Sequence, residues 1–410
     1  MCPMTTAKWV LGAALLLSAC GSGGGTEQRT VFRDSAGIRI AENVSVDDSA
    51  AHVWWSLGEA ELDIGGEDAV EPYAVYRVSA LLRQPDGSIL VASSASADIR
   101  VFSATGEHLG TTGRRGGGPG EFQFISAMHR AAGDSVLIYD VQTRRLTLLD
   151  PAGNFVRVIP IDAERGFSQL YGQFSDGTLL GAIRRTDMMP PPQTGGDQLS
   201  RIPTELGRFG QNVSLIDSLG AFPGAERNIR VTMGPDNQIS SISIIAGPFT
   251  RTPGYVAGAN EFYVGPQDGP EVLVYNTSGT LSRIIRTGHT LEAFTQKHAD
   301  AQFERQLSQV SPQQRVEMKA AGPPPLPHTQ FLPAYGSLLL DAEGNLWVAD
   351  FANPLRPAGR WTVFGPDGAV LARVQFPERF RVFDIGRDYV LGRELDDLDV
   401  EHVRLYPLIR

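Results

Sequence analysis

The stretch VSALLRQPDGSILVASSASADIRVFSATGEHLGTTG, residues 78–113, decides the fold. It reads as four short strands joined by turns. An apolar run ends at Pro85-Asp86-Gly87-Ser88, a favoured tight-turn sequence. A strand carrying Ile89 and Val91 follows, then a polar loop, then a strand carrying Ile99 and Val101. Thr105-Gly106 makes the second turn, and a fourth strand closes the unit.

The pattern repeats along the chain. A second unit starts at Phe124, with turns at Gly133-Asp134 and Ala152-Gly153. A third has Asp176-Gly177 and a turn near Ser218 to Gly220. A fourth turns near Asn260 and at Ser278-Gly279, and a fifth at Glu343-Gly344 and Asp367-Gly368. The last turns between Gly386 and Asp388, and the chain ends in the strand-like run His402 to Leu408. First turns at 86, 133 and 176 lie 47 and 43 residues apart, and those at 343 and 387 lie 44 apart. Periods of roughly 40–50 residues with four strands each indicate propeller blades. The expected fold is all-β: a six-bladed β-propeller of four-stranded antiparallel blades over 30–410, with a small helical insertion around 290–321. The last unit lacks an outer strand. The N-terminal region supplies candidates, Val53 to Leu57 or the hairpin Val31 to Ile40, and closing the ring this way removes exposed edges. The rival arrangement, two stacked β-sandwiches, rarely keeps so constant a strand quartet.

Ahead of the repeat stands MCPMTTAKWVLGAALLLSAC, residues 1–20. Lys8 gives a positive n-region, and Trp9 to Leu17 form an apolar run too short for a bilayer, which needs roughly 20 residues. This is the layout of a signal peptide over 1–19. Leu17-Ser18-Ala19-Cys20 resembles a lipobox, which makes Cys20 the lipidated residue. The Gly21 to Gly25 stretch continues it as a tether over 20–29. Buried acyl chains would then hold the protein on a membrane at about 0.8 kcal/mol per methylene. Gly21 stands where some bacteria place an aspartate for inner-membrane retention, which favours the outer membrane. The only other cysteine, Cys2, lies inside the signal peptide, so the mature chain has no disulfide.

A net charge of −10 argues against nucleic acid as a partner and against adhesion to anionic lipid. With 42% hydrophobic residues the chain has material for a large core.

Gly113-Arg114-Arg115-Gly116-Gly117-Gly118-Pro119-Gly120-Glu121-Phe122 lies between the first two units. It resembles the inter-blade loop of bacterial six-bladed, NHL-like β-propeller proteins, many of them lipoproteins. Asp34-Ser35-Ala36-Gly37, followed by Ile38-Arg39-Ile40, resembles their N-terminal segment. The likeness spans about residues 30–410 and implies fold far more than activity. Phe122 is expected to wedge between blades.

Propeller geometry puts first-to-second and third-to-fourth turns on one face. Second-to-third loops and blade connections lie on the other. Every first-face turn is short, whereas insertions at about 186–208, 222–240, 288–330 and 352–359 fall on the second face. Loops on a rigid scaffold carry function, so the second face is the expected functional face. In the 288–330 insertion, Thr290 can N-cap a helix bearing Leu291, Phe294, Phe303, Leu307 and Val310. Ser311-Pro312-Gln313-Gln314 resembles a capping box with proline at the first helical position. Gly322 ends that second helix. The insertion reads as a lid on the rim, or more sharply as a docking surface.

No nucleotide P-loop, nucleophile elbow or zinc-protease motif occurs. The candidate ligand residues are arginines in or beside functional-face segments: Arg114, Arg115, Arg184, Arg185, Arg230 and Arg251, with Arg208 and Arg227 nearby. Guanidinium groups bind carboxylates and phosphates by paired hydrogen bonds, so an anionic ligand is implied. Pairing with nearby acids is the plainer reading of the same arginines. His129 and Tyr335 are expected on inner strands near the channel. Glu394, Asp396, Asp397, Asp399 and Glu401 cluster in one loop without a calcium-loop spacing, and read as a solvated acidic loop. No metal or cofactor is expected. The function expected is a monomeric, membrane-anchored envelope propeller that binds a ligand or protein partner without catalysis. The alternative is a channel-centred, metal-dependent hydrolase or lyase of the lactonase or amidating-lyase type.

Overall fold

The computed structural model describes residues 29–46, 52–161, 166–184, 196–234, 238–323 and 330–410. The expected signal peptide, Cys20 and all but the last residue of the expected tether lie outside the described residues, as does Arg185.

Strands Val78–Arg83, Ile89–Ser93, Asp98–Phe102 and His108–Thr112 pair in sequence order as one antiparallel sheet. The same meander recurs over 125–160, over 167–222 with the strand Gly196–Arg201 looped out, over 254–286 and over 338–375. A final sheet takes three strands from the C-terminus, Phe380–Ile385, Tyr389–Leu395 and Glu401–Ile409. The first strands of the first five sheets adjoin one another in order, and Val78–Arg83 also meets Phe380–Ile385 of the last, so the series returns on itself. A backbone hydrogen bond from Ala342 N to Ile385 O, 3.0 Å, joins the last two sheets. A ring of four-stranded antiparallel sheets around a channel is a β-propeller.

The short turns explain why the period is so readable. At Asp86, Asp176, Asp341 and Asp367 the side-chain Oδ1 accepts the backbone N–H two residues on, at 2.9–3.0 Å. Each is an Asx turn followed by a glycine. The hydroxyl and N–H of Ser88 hold the Asp86 carboxyl below its ordinary range.

The ring closes differently from either expectation. The strand that completes the last sheet is Leu62–Gly65, antiparallel to Glu401–Ile409 with Leu62 opposite Leu405 and Gly65 opposite His402. Trp54–Leu57 pairs parallel to Val370–Gln375 in the preceding sheet and meets only the end of Glu401–Ile409. The hairpin Thr30–Ser35 and Ile38–Asn43 adds parallel to Leu281–Arg286. The N-terminal segment therefore runs round the rim and covers three outer edges before the first quartet begins. Asn43 clamps it there: Nδ2 donates to Arg286 O and Gly368 O, and Oδ1 accepts from Val370 N at 2.8 Å.

Between sheets the core is continuous. Leu62 and Ile64 pack with Val78, Leu391 and Val403 at the closure. Trp347, Trp361, Phe376 and Phe380 fill the layer before it. Phe122 is fully buried between the first two quartets, where it was expected. Gly113 lies directly against it: a Cβ there would come 2.6 Å from the ring, and its φ is +90°.

Three further expectations change. The second turn of the third quartet is the 210–214 loop, not Ser218 to Gly220, which lie inside the strand Leu215–Phe222. The insertions read as loops near 186–208 and 222–240 contain strands Gly196–Arg201, Glu226–Met233 and Ile239–Ile245, which form a separate three-stranded sheet. Helix α1, Gln296–Ser308, is capped by Thr295 rather than Thr290. Helix α2, Pro312–Ala321, has the expected Ser311–Gln314 capping box and ends at Gly322.

Candidate functional site: the loop-rich face

All first strands begin on the face that holds the blade connections. The three-stranded sheet, the two helices and the 350–359 loop emerge on that side.

Between the first two quartets, the Gly113–Phe122 loop is built around Glu121. Its Oε2 accepts Gly118 N at 2.7 Å and its Oε1 accepts Arg114 Nε at 2.8 Å. The Gly118 N–H and the Arg114 guanidinium together hold the Glu121 carboxyl below its ordinary range. Buried Arg145 pins the loop from below, donating to Gly117 O and Glu121 O. Arg114 is left 82% exposed at the tip. Arg115 is also exposed and donates to carbonyls, Ala95 O at 2.7 Å, Ser94 O at 3.4 Å and Gln123 O at 3.5 Å. Phe124 and Val141 stand exposed beside it, positioned by the fully buried Asp140. That carboxylate accepts four backbone N–H groups: Gln123 at 2.6 Å, Phe124 at 3.3 Å, and Gln142 and Thr143 at 2.9 Å each.

On the far side of the same face, a small solvent-open cleft of about 50 Å³ lies between the stems of the helical insertion and the 350–360 loop. Asp350 is its anchor. Arg373, 1% exposed, donates to both carboxylate oxygens at 2.9 and 2.8 Å, and His289 Nε2 approaches Oδ1 at 3.2 Å. Burial alone would raise the Asp350 pKa, but the bond from His289 and the Arg373 charge outweigh it and hold it below 3.8. Glu292 is the second carboxylate, meeting His298, Asn353 and Arg356 at 3.0 Å each. His298 Nδ1 accepts Thr295 N in the cap of α1, so its Nε2 carries the proton toward Glu292. The cleft is thus a preformed polar surface with its charges already matched.

The structure separates the other candidate arginines. Arg251 forms a largely buried pair with Glu226 at 2.7 Å, and its backbone N donates to the same carboxylate at 2.8 Å. This pair latches the three-stranded sheet to the 254–286 quartet. Arg227 donates to Glu226 O. Arg230 is exposed on that sheet and Arg184 at the end of a second strand. Arg208 lies on the opposite, short-turn face, bonded to Asp176 and Thr178, because its strand runs away from the loops.

His129 lies on the inner strand Ile125–Arg130, and burial pushes its imidazole pKa down to about 4, so it is neutral at physiological pH. Tyr335 is a core residue: it is fully buried, its hydroxyl donates to Glu271 O at 2.7 Å, and burial pushes its pKa up. The sequence did not single out Asp384, at the short-turn end of the channel. Burial pushes its carboxyl up although Arg83 N and the Tyr389 hydroxyl bond it at 2.9 and 3.0 Å. The acidic 394–401 cluster is consumed locally. Asp396 accepts Leu398 N and Val400 N, Glu401 accepts Val78 N and pairs with Arg393, and Arg379 pairs with Asp399. Among the described residues no group of three acids, histidines or cysteines is placed to hold a metal ion.

No protein-family model matches the chain, and no curated protein matches it in sequence. Among solved structures it is similar to a Bacteroides fragilis protein whose name reads exported protein, at 12% identity over 90% of this chain and 98% of that one, TM-score 0.47. A member of the DUF4221 family from Bacteroides vulgatus is 12% identical over 87% and 98%, TM-score 0.47. The virginiamycin B lyase of Staphylococcus aureus is 9% identical over 85% and 98%, TM-score 0.39. Likenesses at this level carry no functional argument, and the fold stands on the strand pairings themselves. No helix among the described residues is long and apolar enough to cross a membrane.

Proposed function

We propose that this chain is a lipid-anchored envelope protein, a monomeric six-bladed propeller that binds an anionic ligand or a protein partner on its loop-rich face without catalysing a reaction. The observation that carries this reading is segregation. The 113–122 loop, the three-stranded sheet, the helical pair and the cleft all occupy one face, while among the described residues the other carries short turns. A rigid ring that concentrates its irregular chain on one side presents a surface. The exposed arginines there, Arg114, Arg115, Arg184 and Arg230, give that surface its anionic preference, with Arg185 beside them in sequence. Five complete quartets and one closed by Leu62–Gly65 support the six-fold count.

The anchor rests on the lipobox at Cys20. A Cys20→Ala variant is expected to leave the membrane fraction and appear soluble. Retention in the membrane would overturn the anchor, with the outer membrane the expected site for the wild-type chain. Metal analysis of the purified protein is expected to find no stoichiometric calcium or zinc. One such ion per chain, held through dialysis, would replace the binding reading with a catalytic one.

A further inference from the structure

The channel mouth between the first two quartets carries an arrangement that the fold itself does not require. Tyr76 is 58% exposed, Phe124 44% and Val141 42%. They are not scattered. Ser93 Oγ donates to Tyr76 O at 2.8 Å, and the Ser94 N–H and hydroxyl both donate to Arg77 O at 3.1 Å. Arg115 reaches the same loop through Ala95 O and Ser94 O, and on its other side Gln123 O, next to Phe124. Val141 N donates to Phe124 O at 3.3 Å. The backbone that carries Tyr76 and Arg77 is therefore bonded to one short loop, and the Arg115 guanidinium ties that loop to the segment that carries Phe124 and Val141.

Two features mark this patch as more than surface. Arg77 sits at φ +49°, a left-handed conformation that costs a non-glycine residue on the order of 1 kcal/mol. The geometry is fixed by the two bonds from Ser94 and leaves the side chain exposed. Phe124 is held outward by Asp140, a buried carboxylate with four backbone donors, so its exposure is imposed rather than incidental. Among the described residues neither Arg77 nor Arg115 has a carboxylate partner. The cationic groups of the patch are thus uncompensated on a chain of net charge −10.

We propose that this patch docks an acidic peptide segment of a partner protein. Carboxylates of the segment pair with Arg77 and Arg115, and an aromatic or aliphatic side chain packs on Tyr76, Phe124 and Val141. Charge complementarity selects an anionic partner. The apolar component selects a peptide over an acidic polysaccharide, because an exposed valine stands beside the exposed aromatic residues. Tyr and Arg beside buried anchors are also the composition of protein-binding hot spots. This rests on the loop-rich face being the functional face and adds the site and the partner chemistry.

The test uses the full-length protein in detergent and the random copolymer poly(Glu,Tyr) as probe, with polyglutamate and polygalacturonate alongside, by biosensor titration. Poly(Glu,Tyr) is expected to bind best. Arg77→Gln with Arg115→Gln should weaken it by about tenfold or more, as loss of two charge-assisted pairs implies. Tyr76→Ser, at an exposed position that leaves the fold alone, should weaken it by several-fold while leaving polyglutamate binding nearly unchanged. Arg387→Gln on the opposite face should change nothing. Absence of poly(Glu,Tyr) binding, equal loss in Arg387→Gln, or equally tight polygalacturonate binding with the same sensitivities would each overturn the proposal. Failure here while cross-links still form on the loop-rich face would remove this site and leave the wider reading standing.

Discussion

Asp140→Ala should destabilise the protein by at least about 4 kcal/mol, the largest loss expected from a single polar substitution on the loop-rich face. The carboxylate is fully buried and accepts four backbone N–H groups from two separate loops. Hydrogen bonds to a charged acceptor contribute about 1.5–3 kcal/mol each, and a buried donor left without a partner costs about 1–3 kcal/mol. Even with water relieving two of the four, the sum stays large. Asp140→Asn keeps one acceptor oxygen for two of the four N–H groups and turns an NH2 donor on the other two, so it should recover only part of the loss. Chemical denaturation checks this: the midpoint should fall with an unchanged slope. The local consequence is as informative as the global one. Freeing residues 123 and 124 should raise hydrogen exchange there and at 141–143 ahead of the rest of the chain.

Arg373→Ala should cost about 3 kcal/mol, the low end for a broken buried pair, because it removes a fully buried guanidinium and leaves the half-buried Asp350 carboxylate without its main partner. The pH dependence separates this from simple loss of packing. In the wild type the Asp350 pKa is held below 3.8, so its stabilising contribution is present above that value and is lost as pH falls through the folded pKa. In the variant, burial dominates and the pKa moves up. The deficit relative to wild type should therefore be greatest at neutral pH and shrink in acid, where both carboxyls are protonated. Arg373→Met combined with Asp350→Asn removes both charges and should recover much of the loss. A deficit independent of pH would assign the role of Arg373 to its contact with Val46 O and the Trp54 ring instead.

What the sequence disclosed and what it hid divide along physical lines. Turns such as Pro85 to Ser88 and Glu343-Gly344 were legible because each is a local device, an acid followed by a glycine. The Ser311–Gln314 cap was legible for the same reason. The third quartet misled because Gly220 takes a positive φ inside a strand, at +120° near a register shift, and so imitates a turn. The real loop at 210–214 uses Asn212 to bond Ser214. The closing strand was hidden because Leu62–Gly65 pairs with residues some 340 positions away. Nothing in a four-residue segment announces that partner. The three-stranded sheet was missed likewise, since its strands pair only with one another.

At the site, arginines could be named but not their partners. Arg251 finds Glu226 25 positions away and Arg208 finds Asp176 32 away. Asp140 and Asp350 carried a signal that went unused. Each stands at or just after the end of a second strand, where Ser93 stands in the first quartet. At that position Asp140 accepts the N–H groups of Gln123 and Phe124, Asp350 takes His289 and Arg373, and Ser93 donates to Tyr76 O.

The central claim is that function resides on the loop-rich face of the ring. The direct measurement is photo-cross-linking in intact source cells, with p-benzoylphenylalanine placed at Leu291 or Leu355 beside the cleft and at Thr105 or Arg387 among the short turns. Specific adducts are predicted from Leu291 and Leu355 and none from Thr105 and Arg387. Adducts from the short-turn positions alone, or equally from both faces, would contradict the account.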